Sequence, residues 1–222
     1  MIFKHQDFEG SLTWTDSQHL CELVIENPLT LRNVLQSLTT TGAQNQLSFT
    51  LDGEALNLEK DLDVIINPTK LEFNNRRAIT TLLKLLVKTS VSEEFYLETS
   101  KIKTKILQYL DQMIDAEDFI FEVTGDDFSI DSIAKAVNIH IASDDDDFVE
   151  ILTDYLAMMV ELVGIKMFVF LNLRALISQD ELQRLHHNLK NHQIDVLLLE
   201  SHDYGKFEDA PRIIIDKDNC EI

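Results

Sequence analysis

The most regular arrangement of apolar and polar stretches lies between Lys166 and Glu200. Lys166 is followed by the apolar run MFVFL, and residues 194–199 are predicted to be a second buried run. Between the runs, Ser178 and Glu181 have the spacing of a helix capping box, and leucines follow at helical spacing (Leu182, Leu185 and Leu189). Unbroken apolar runs are typical of strands that a parallel sheet buries on both faces. The pattern therefore predicts two parallel strands joined by one helix in a right-handed crossover.

The stretches on either side of this unit supply further strands and helices. Strands are predicted at residues 1–5, 11–15, 19–26, 64–66 and 212–215, a hairpin around Asp52 and Gly53, and helices after Asn27 and over residues 148–162. Together these elements predict an α/β fold with a mainly parallel sheet.

The pattern changes near Pro68, where strand signals give way to helical periodicity. Residues 71–91 and 93–113 predict two long amphipathic helices. Because the connection between them is short, we expect the two helices to pack antiparallel.

Strand signals return after the helices, at residues 119–123 and 137–141. We therefore predict an α/β head domain formed by residues 1–68 and 119–222. The helical segment, residues 69–118, is predicted to be a leg domain inserted into this head.

The composition indicates a folded protein without membrane segments. Its 222 residues are 45% hydrophobic, which is enough for a substantial core. No apolar run reaches the roughly 18 residues of a membrane span, and the first residues lack a signal-peptide core, so we expect a cytoplasmic protein with no membrane partner. Cys21 and Cys220 lie far apart without metal-ligand spacing, which argues against a disulfide framework and a zinc site.

The charge is strongly negative but unevenly distributed. The formal net charge is −20, which by itself argues against binding to nucleic acid. Residues 69–105, however, contain eight bases and only four acids. This basic island is either a surface for an anionic partner or an ordinary solvated helical surface.

The glycine positions argue against a nucleotide-hydrolysing enzyme. The six glycines form neither the GxxxxGK[ST] nor the GxGxxG pattern, so no glycine loop can cradle phosphates with backbone N–H groups. No GxSxG or HExxH motif is present either. A secondary catalytic hypothesis rests on the polar residues at the carboxyl ends of the two central strands, the usual ligand edge of such a sheet: Asn172, Arg174, Glu200, Ser201 and His202.

Two acidic clusters follow the predicted leg. The first comprises Glu122, Asp126, Asp127 and Asp131, and the second comprises Asp144, Asp145, Asp146, Asp147 and Glu150. Grouped carboxylates repel one another, and a divalent cation such as calcium relieves that repulsion with hard oxygen ligands. The alternative is structural, because aspartates in a first helical turn stabilise the helix dipole, with Ser143 as the cap.

At the level of the whole chain, the order of elements resembles a known family. The run FVEILTDYLAMMVELVGIKMFVFLNLRALISQDELQRLHHNLKNHQIDVLLLES, followed by an acidic tail, resembles the small CRISPR-associated adaptation protein of type II-A systems. Members of that family are required for acquiring new spacers and are not nucleases. The resemblance covers essentially the full chain, but it rests on pattern and order because no compact motif defines the family.

The resemblance implies a head like a degenerate P-loop NTPase fold and a homotetrameric ring around the ends of double-stranded DNA. DNA binding would depend on calcium held by acids near the junction of head and leg, and the integrase complex and RNA-guided nuclease of the system would be further partners. The ring's basic interior suggests Arg76, Arg77, Lys84, Lys88, Lys101, Lys103 and Lys105 as DNA contacts. The acid clusters suggest Glu122, Asp126, Asp127, Asp131, Asp144, Asp146 and Glu150 as metal ligands.

Two functions therefore remain after the enzyme is set aside. One is non-catalytic, sequence-independent and calcium-dependent binding of double-stranded DNA during CRISPR spacer acquisition. The other is an acidic scaffold of the adaptation complex that binds only proteins, which the net charge of −20 favours.

Overall fold

The computed structural model describes residues 1–40, 46–116, 128–142, 146–207 and 210–222. The strands are β1 (Ile2–His5), β2 (Ser11–Thr13), β3 (Leu20–Ile25), β4 (Leu47–Leu51), β5 (Glu54–Ala55), β6 (Leu62–Ile65), β7 (Met167–Leu171), β8 (Val196–Glu200) and β9 (Arg212–Ile215). The helices are α1 (Pro28–Thr39), α2 (Leu58–Asp61), α3 (Arg76–Ser90), α4 (Tyr96–Asp115), α5 (Ile130–Ala136), α6 (Phe148–Met158) and α7 (Gln179–His192). A π-helical turn (Met159–Val163) continues α6, and a 3₁₀ turn (Leu173–Ala175) follows β7.

The chain divides into two compact units. Met1–Phe73 and Ser143–Ile222 form the first, which we call the α/β unit, and Asn74–Ala142 forms the second, which we call the helical unit. Residues 128–142, which the sequence prediction placed in the head, group with α3 and α4 in the helical unit.

A five-stranded parallel sheet organises the α/β unit. Its strand order is β6-β7-β8-β3-β9, and every neighbouring pair is parallel. The predicted α/β class is therefore confirmed, and so is the unit in which α7 joins the adjacent parallel strands β7 and β8. The amino-terminal strands and the hairpin form a separate antiparallel sheet in the order β2-β1-β4-β5.

One face of the parallel sheet is covered by α1 and the antiparallel sheet. Phe3 and Phe49 come from the antiparallel sheet and pack with their ring centroids 5.1 Å apart. They share one buried apolar cluster with Val34 of α1 and with Leu197 and Leu199 of β8. Asn27 caps α1 as predicted, because its side chain accepts hydrogen bonds from the backbone of the first helical turn.

The opposite face is covered by α6 and α7. Asp63 of β6 lies beside Phe168 of β7 on this face, and its carboxylate accepts a 2.8 Å hydrogen bond from the hydroxyl of Tyr155 on α6. Helix α7 is joined to α6 because Asn188 donates to the hydroxyl of Thr153 at 3.1 Å. The sheet is thus buried on both faces, as unbroken apolar strands require.

The helical unit differs from its prediction in two respects. α3 packs against α5, and α4 buries none of its residues, so the expected burial of an α3–α4 seam is not observed. Residues 137–141 are not a strand: Asn138 adopts a left-handed conformation with φ 53°, and the Asn74 side chain bonds the backbone of Ile141 in both directions. The strand predicted at 119–123 lies outside the described residues.

Among the helices within the described ranges, none is both long enough and apolar enough to cross a membrane.

The capping box of α7 generates a prediction about stability. Ser178 accepts from the backbone of Glu181, and the Glu181 carboxylate accepts from the backbone of Ser178 at 2.7 Å. Ser178→Ala should lower the free energy of unfolding by about 1 kcal/mol, because the reciprocal pair of hydrogen bonds at the helix start is broken. Urea denaturation measures this change, and Gln183→Ala on the exposed side of the same helix should leave it near the wild-type value. An equal effect of both substitutions would contradict a specific capping contribution.

Candidate nucleic-acid interface and metal site

Helix α3 begins with two arginines where cations are electrostatically unfavourable. Asn75 caps the helix by accepting from the backbone of Ala78 at 3.0 Å, and Arg76 and Arg77 follow with no acid in the first turn. The amino end of a helix carries a partial positive charge, which repels cations and attracts anions. Arg76 and Arg77 therefore add to the positive potential at this end of the helix, whereas acids at the same positions would neutralise it.

The bases of α3 continue along one side of the helix. Arg77, Lys84 and Lys88 are separated by seven and four residues, so they share a face. Eleven residues of helix place the two ends of this face about 16 Å apart. Lys84 and Lys88 are exposed, Arg77 is half-buried, and Arg76 is exposed beside it. We call this face, with Arg76, the basic stripe of α3.

The bases of α4 do not share one face. Lys101 and Lys105 are exposed and lie one turn apart, and Lys101 forms an exposed ion pair with Glu98 at 3.3 Å. Lys103 is half-buried, with its ammonium 5.8 Å from the centre of the Phe128 ring. Lys103 therefore packs against Phe128, whereas the sequence predicted only a basic residue that could contact DNA.

Lys135 on α5 is a basic residue that sequence reasoning missed. It lies outside the basic island, yet α5 packs against α3, and Lys84 and Lys135 line the same groove of about 410 Å³. The other lining residues are Thr80, Leu83, Val87 and Asp131. Only tertiary contact brings Lys135 beside the basic stripe.

Asp131 is the member of the first acidic cluster that lies within the described residues. Its carboxylate pairs with Lys135 at 2.7 Å and accepts a hydrogen bond from the hydroxyl of Ser129. The Lys135 hydrogen bond is the main cause that lowers the pKa of Asp131. Glu122, Asp126 and Asp127 lie outside the described residues.

Asp147, in the second cluster, has a structural role. It is the N-cap of α6 and accepts from the backbone of Val149 and Glu150. Arg184 of α7 also donates to both of its carboxylate oxygens, at 2.9 and 3.0 Å, and this is the main cause that lowers the pKa of Asp147. The helix-capping alternative is therefore correct at this position, although the cap is Asp147 and not Ser143.

The two neighbouring candidate ligands differ from Asp147. Asp146 is exposed, and the Glu150 carboxylate lies 3.3 Å from the side-chain nitrogen of Asn188. Asp144 lies outside the described residues. Within the described ranges, no group of three or more histidine, cysteine or acidic residues is arranged to hold a metal ion. The predicted metal ligands remain predictions.

The polar residues at the carboxyl edge of the sheet contact one another. Asn172 has a left-handed backbone (φ 54°), and its side-chain oxygen accepts from the backbone of Ser201 at 2.8 Å. The Arg174 guanidinium bonds Glu22 at 2.7 Å. The rings of His202 and Tyr204 pack nearly perpendicular to each other, with their centroids 5.2 Å apart. These contacts hold the loops of the sheet edge together, which is a structural role for the residues of the catalytic hypothesis.

A protein-family model matches most of the chain. The model described as CRISPR-associated protein (Cas_Csn2) matches residues 42–219, which is well over half of the 222 residues. No curated protein matches the chain.

Adjacent acids in the second cluster should respond differently to substitution. Asp147→Ala should lower the thermal unfolding midpoint, because α6 loses its cap and its link to Arg184. Asp146→Ala should leave the midpoint near wild type but weaken calcium binding, measured by calorimetry. Equal loss of stability in both variants would contradict the assignment of the cap. Wild-type calcium affinity in Asp146→Ala would exclude Asp146 as a ligand.

Proposed function

Because the chain belongs to the Cas_Csn2 family of CRISPR-associated proteins, whose members act in the adaptation step of type II-A systems, we propose that it binds double-stranded DNA without sequence preference and without catalysis. Binding would occur through phosphate contacts of the helical unit. The observation that carries the proposal is the basic stripe of α3.

The stripe is suited to phosphates for two reasons. Arg76 and Arg77 stand at the positive end of the helix dipole, so an anion there gains from both the side chains and the dipole. Lys84 and Lys88 extend the same charge along a length of about 16 Å, whereas phosphates of one strand recur every 3.4 Å or so along the duplex axis. The stripe can therefore contact more than one phosphate, and such contacts carry no sequence information.

Calcium is proposed as the cofactor of this interaction. The net charge of −20 opposes the approach of DNA, so carboxylates near the interface must be neutralised. Asp131 is already paired with Lys135. The proposed ligands are thus the remaining acids: Glu122, Asp126, Asp127, Asp144, Asp146 and Glu150.

The apolar surface of α4 supports assembly into a homotetramer. Ile102, Tyr109 and Met113 lie on one side of the helix and are 43%, 63% and 43% exposed in the single chain. A long helix without a fully buried residue gains little stability from packing within its own chain, and large exposed apolar surfaces mark interaction sites. We propose that copies of the chain cover this surface in a ring around DNA.

The likeness of the α/β unit to P-loop NTPases also remains a proposal.

The protein-binding scaffold is the competing function, and the net charge of −20 favours it. The deciding measurement is a mobility assay on linear and small closed circular duplexes, each with calcium and with a chelator. Retention of linear DNA only, and only with calcium, is expected from a ring that loads at ends. No retention under any condition would support the scaffold. Equal retention of circles would contradict encirclement even if DNA binding survived.

Charge removal should locate the DNA surface. Arg76→Ala/Arg77→Ala and Lys84→Ala/Lys88→Ala should each flatten the logarithmic salt dependence of DNA binding by about one for every phosphate that is no longer neutralised. Lys101→Ala/Lys105→Ala tests α4 in the same way. The matched control is Lys190→Ala/Lys206→Ala, which removes two exposed lysines of the α/β unit. If only the control changes the slope, the DNA surface lies outside the helical unit.

The proposed assembly should depend on the apolar side of α4. Light scattering in calcium should give the mass of four chains of 25.5 kDa, and Ile102→Glu/Met113→Glu should reduce it, because buried charges oppose association. Gln108→Glu/Gln112→Glu introduces the same charge at other exposed positions of α4 and should retain the wild-type mass. A monomeric wild-type protein at micromolar concentration would rule out the ring.

A further inference from the structure

Three charged side chains are buried together near the carboxyl edge of the parallel sheet. Glu22 of β3, Arg174 of the 3₁₀ turn and Glu200 of β8 are 1%, 9% and 0% exposed. Residues paired in adjacent parallel strands point to the same face, and Val24 pairs with Glu200, so Glu22 and Glu200 lie on one face of the sheet. Charged residues are seldom buried this completely, and such groups need partners for every polar atom.

Arg174 connects this cluster to the segment that crosses the sheet edge. We call residues 201–207, which follow β8, the strap. The Arg174 guanidinium donates to Glu22 at 2.7 Å, to the carbonyl of Gly205 at 2.7 Å and to the carbonyl of Tyr204 at 3.3 Å. Its centre also lies 5.6 Å from the Tyr204 ring. The strap is therefore held down by the same guanidinium that neutralises Glu22.

The cluster has one more negative group than positive groups. Arg174 donates its backbone N–H to Glu200 at 3.1 Å, but its guanidinium is shared between Glu22 and the strap. One oxygen of Glu22 and one of Glu200 are buried without a hydrogen-bond partner among the described atoms. A proton on Glu200 removes the excess charge and supplies a donor, and burial raises the pKa of Glu200 to about 7.

The other charged groups around the cluster are already engaged. Asp203 of the strap pairs with Arg212 of β9 at 2.9 Å. The ring of His186 on α7 packs nearly perpendicular to the ring of Phe207 at the end of the strap. Within the strap, the Tyr204 ring faces Arg174, the His202 ring packs against Tyr204, and Lys206 is exposed.

We propose that Glu200 is a proton-operated switch of the strap: in its neutral form it leaves Arg174 bound to the carbonyls of Gly205 and Tyr204, and in its ionised form it competes for Arg174 and releases the strap. Hydrogen bonds from a guanidinium to a carboxylate are stronger than those to a neutral carbonyl, so ionised Glu200 displaces the strap carbonyls. Release exposes the carboxyl edge of the sheet, where ligands of parallel α/β sheets bind. This switch lies in the α/β unit and does not depend on the proposed DNA binding.

The direction of the pH dependence follows from linkage. Burial raises the pKa of Glu200 from 4.5 to about 7. Release of the strap would admit water to this carboxyl and lower its pKa, so the closed form binds the proton more tightly than the open form. Opening should become more favourable by about tenfold per pH unit between these values and then level off. Opening of the strap is consequently least favourable in weak acid and becomes more favourable as the pH approaches neutrality.

Hydrogen–deuterium exchange of the full chain between pH 5 and pH 8 tests this switch. After correction for the intrinsic exchange rate, protection of residues 201–207 should fall by at most about fortyfold from pH 5 to pH 7 and then level off. Glu200→Gln should keep the strap protected throughout. The matched control is Asp195→Asn, because the pKa of Asp195 is also raised by burial but its carboxylate binds His19, at 2.8 Å. This variant should retain the wild-type pH step.

Three results would overturn the proposal. The first is an unchanged pH step in Glu200→Gln. The second is simultaneous exchange of the strap and of β8 at every pH, which would indicate global unfolding. The third is titration of the wild-type Glu200 carboxyl near 4.5 in carbon NMR, and this measurement decides the question even if Glu200→Gln does not fold.

Discussion

Burial of both faces of the parallel sheet is the constraint on which the other features of the α/β unit depend. Parallel neighbours cannot be joined by a tight turn, so each connection must cross a face and can contribute to its cover. β6 and β7 are parallel neighbours although about 100 residues of chain separate them. The helical unit occurs within this connection, and α6 completes it by covering the sheet. An insertion here leaves every strand pairing intact, because the connection has to be long in any case.

The same burial explains why the charged cluster of Glu22, Arg174 and Glu200 near the sheet edge can couple a proton to a conformational change. Most residues on the face under α6 and α7 are apolar, as in Phe168, Phe170 and Leu198. Glu200 interrupts this surface at the end of β8 and Glu22 within β3, and Arg174 can satisfy only part of their hydrogen-bonding capacity. In water the excess carboxylate would cost little, but within a packed interior it must be neutralised or exposed. Protonation neutralises the carboxylate, whereas opening of the structure exposes it to water. Protonation of this cluster is therefore coupled to a conformational change in the proposed switch.

Local signals in the sequence predicted most of the α/β unit. The capping box at Ser178 and the Asn27 cap depend on residues within one helical turn, and both are present in the structure. Features that depend on distant partners could not be predicted. The pairing of Glu22 with Arg174 joins residues 152 positions apart, and Lys135 approaches Lys84 only because α5 packs on α3. The prediction of a strand at 137–141 was wrong. The apolar residues there have no neighbouring strand to pair with among the described residues, and the side chain of Asn74 binds the backbone of Ile141 instead.

Charge balance within the helical unit explains why a cation is an integral part of the proposed DNA interaction. Residues 74–142 contain eight bases and eleven acids, a net charge of −3. Five of those acids fall between residues 117 and 127. Three of the five, Glu122, Asp126 and Asp127, are proposed calcium ligands, and neutralising these three would bring the balance of the unit from −3 to zero. Because ionic interactions in physiological salt extend only about 8 Å, this local balance matters more to a nearby phosphate than the −20 of the whole chain. Each calcium ion bound by these acids would add two positive charges to the helical unit and so reduce its negative charge, which protein-only contacts of an acidic scaffold would not require.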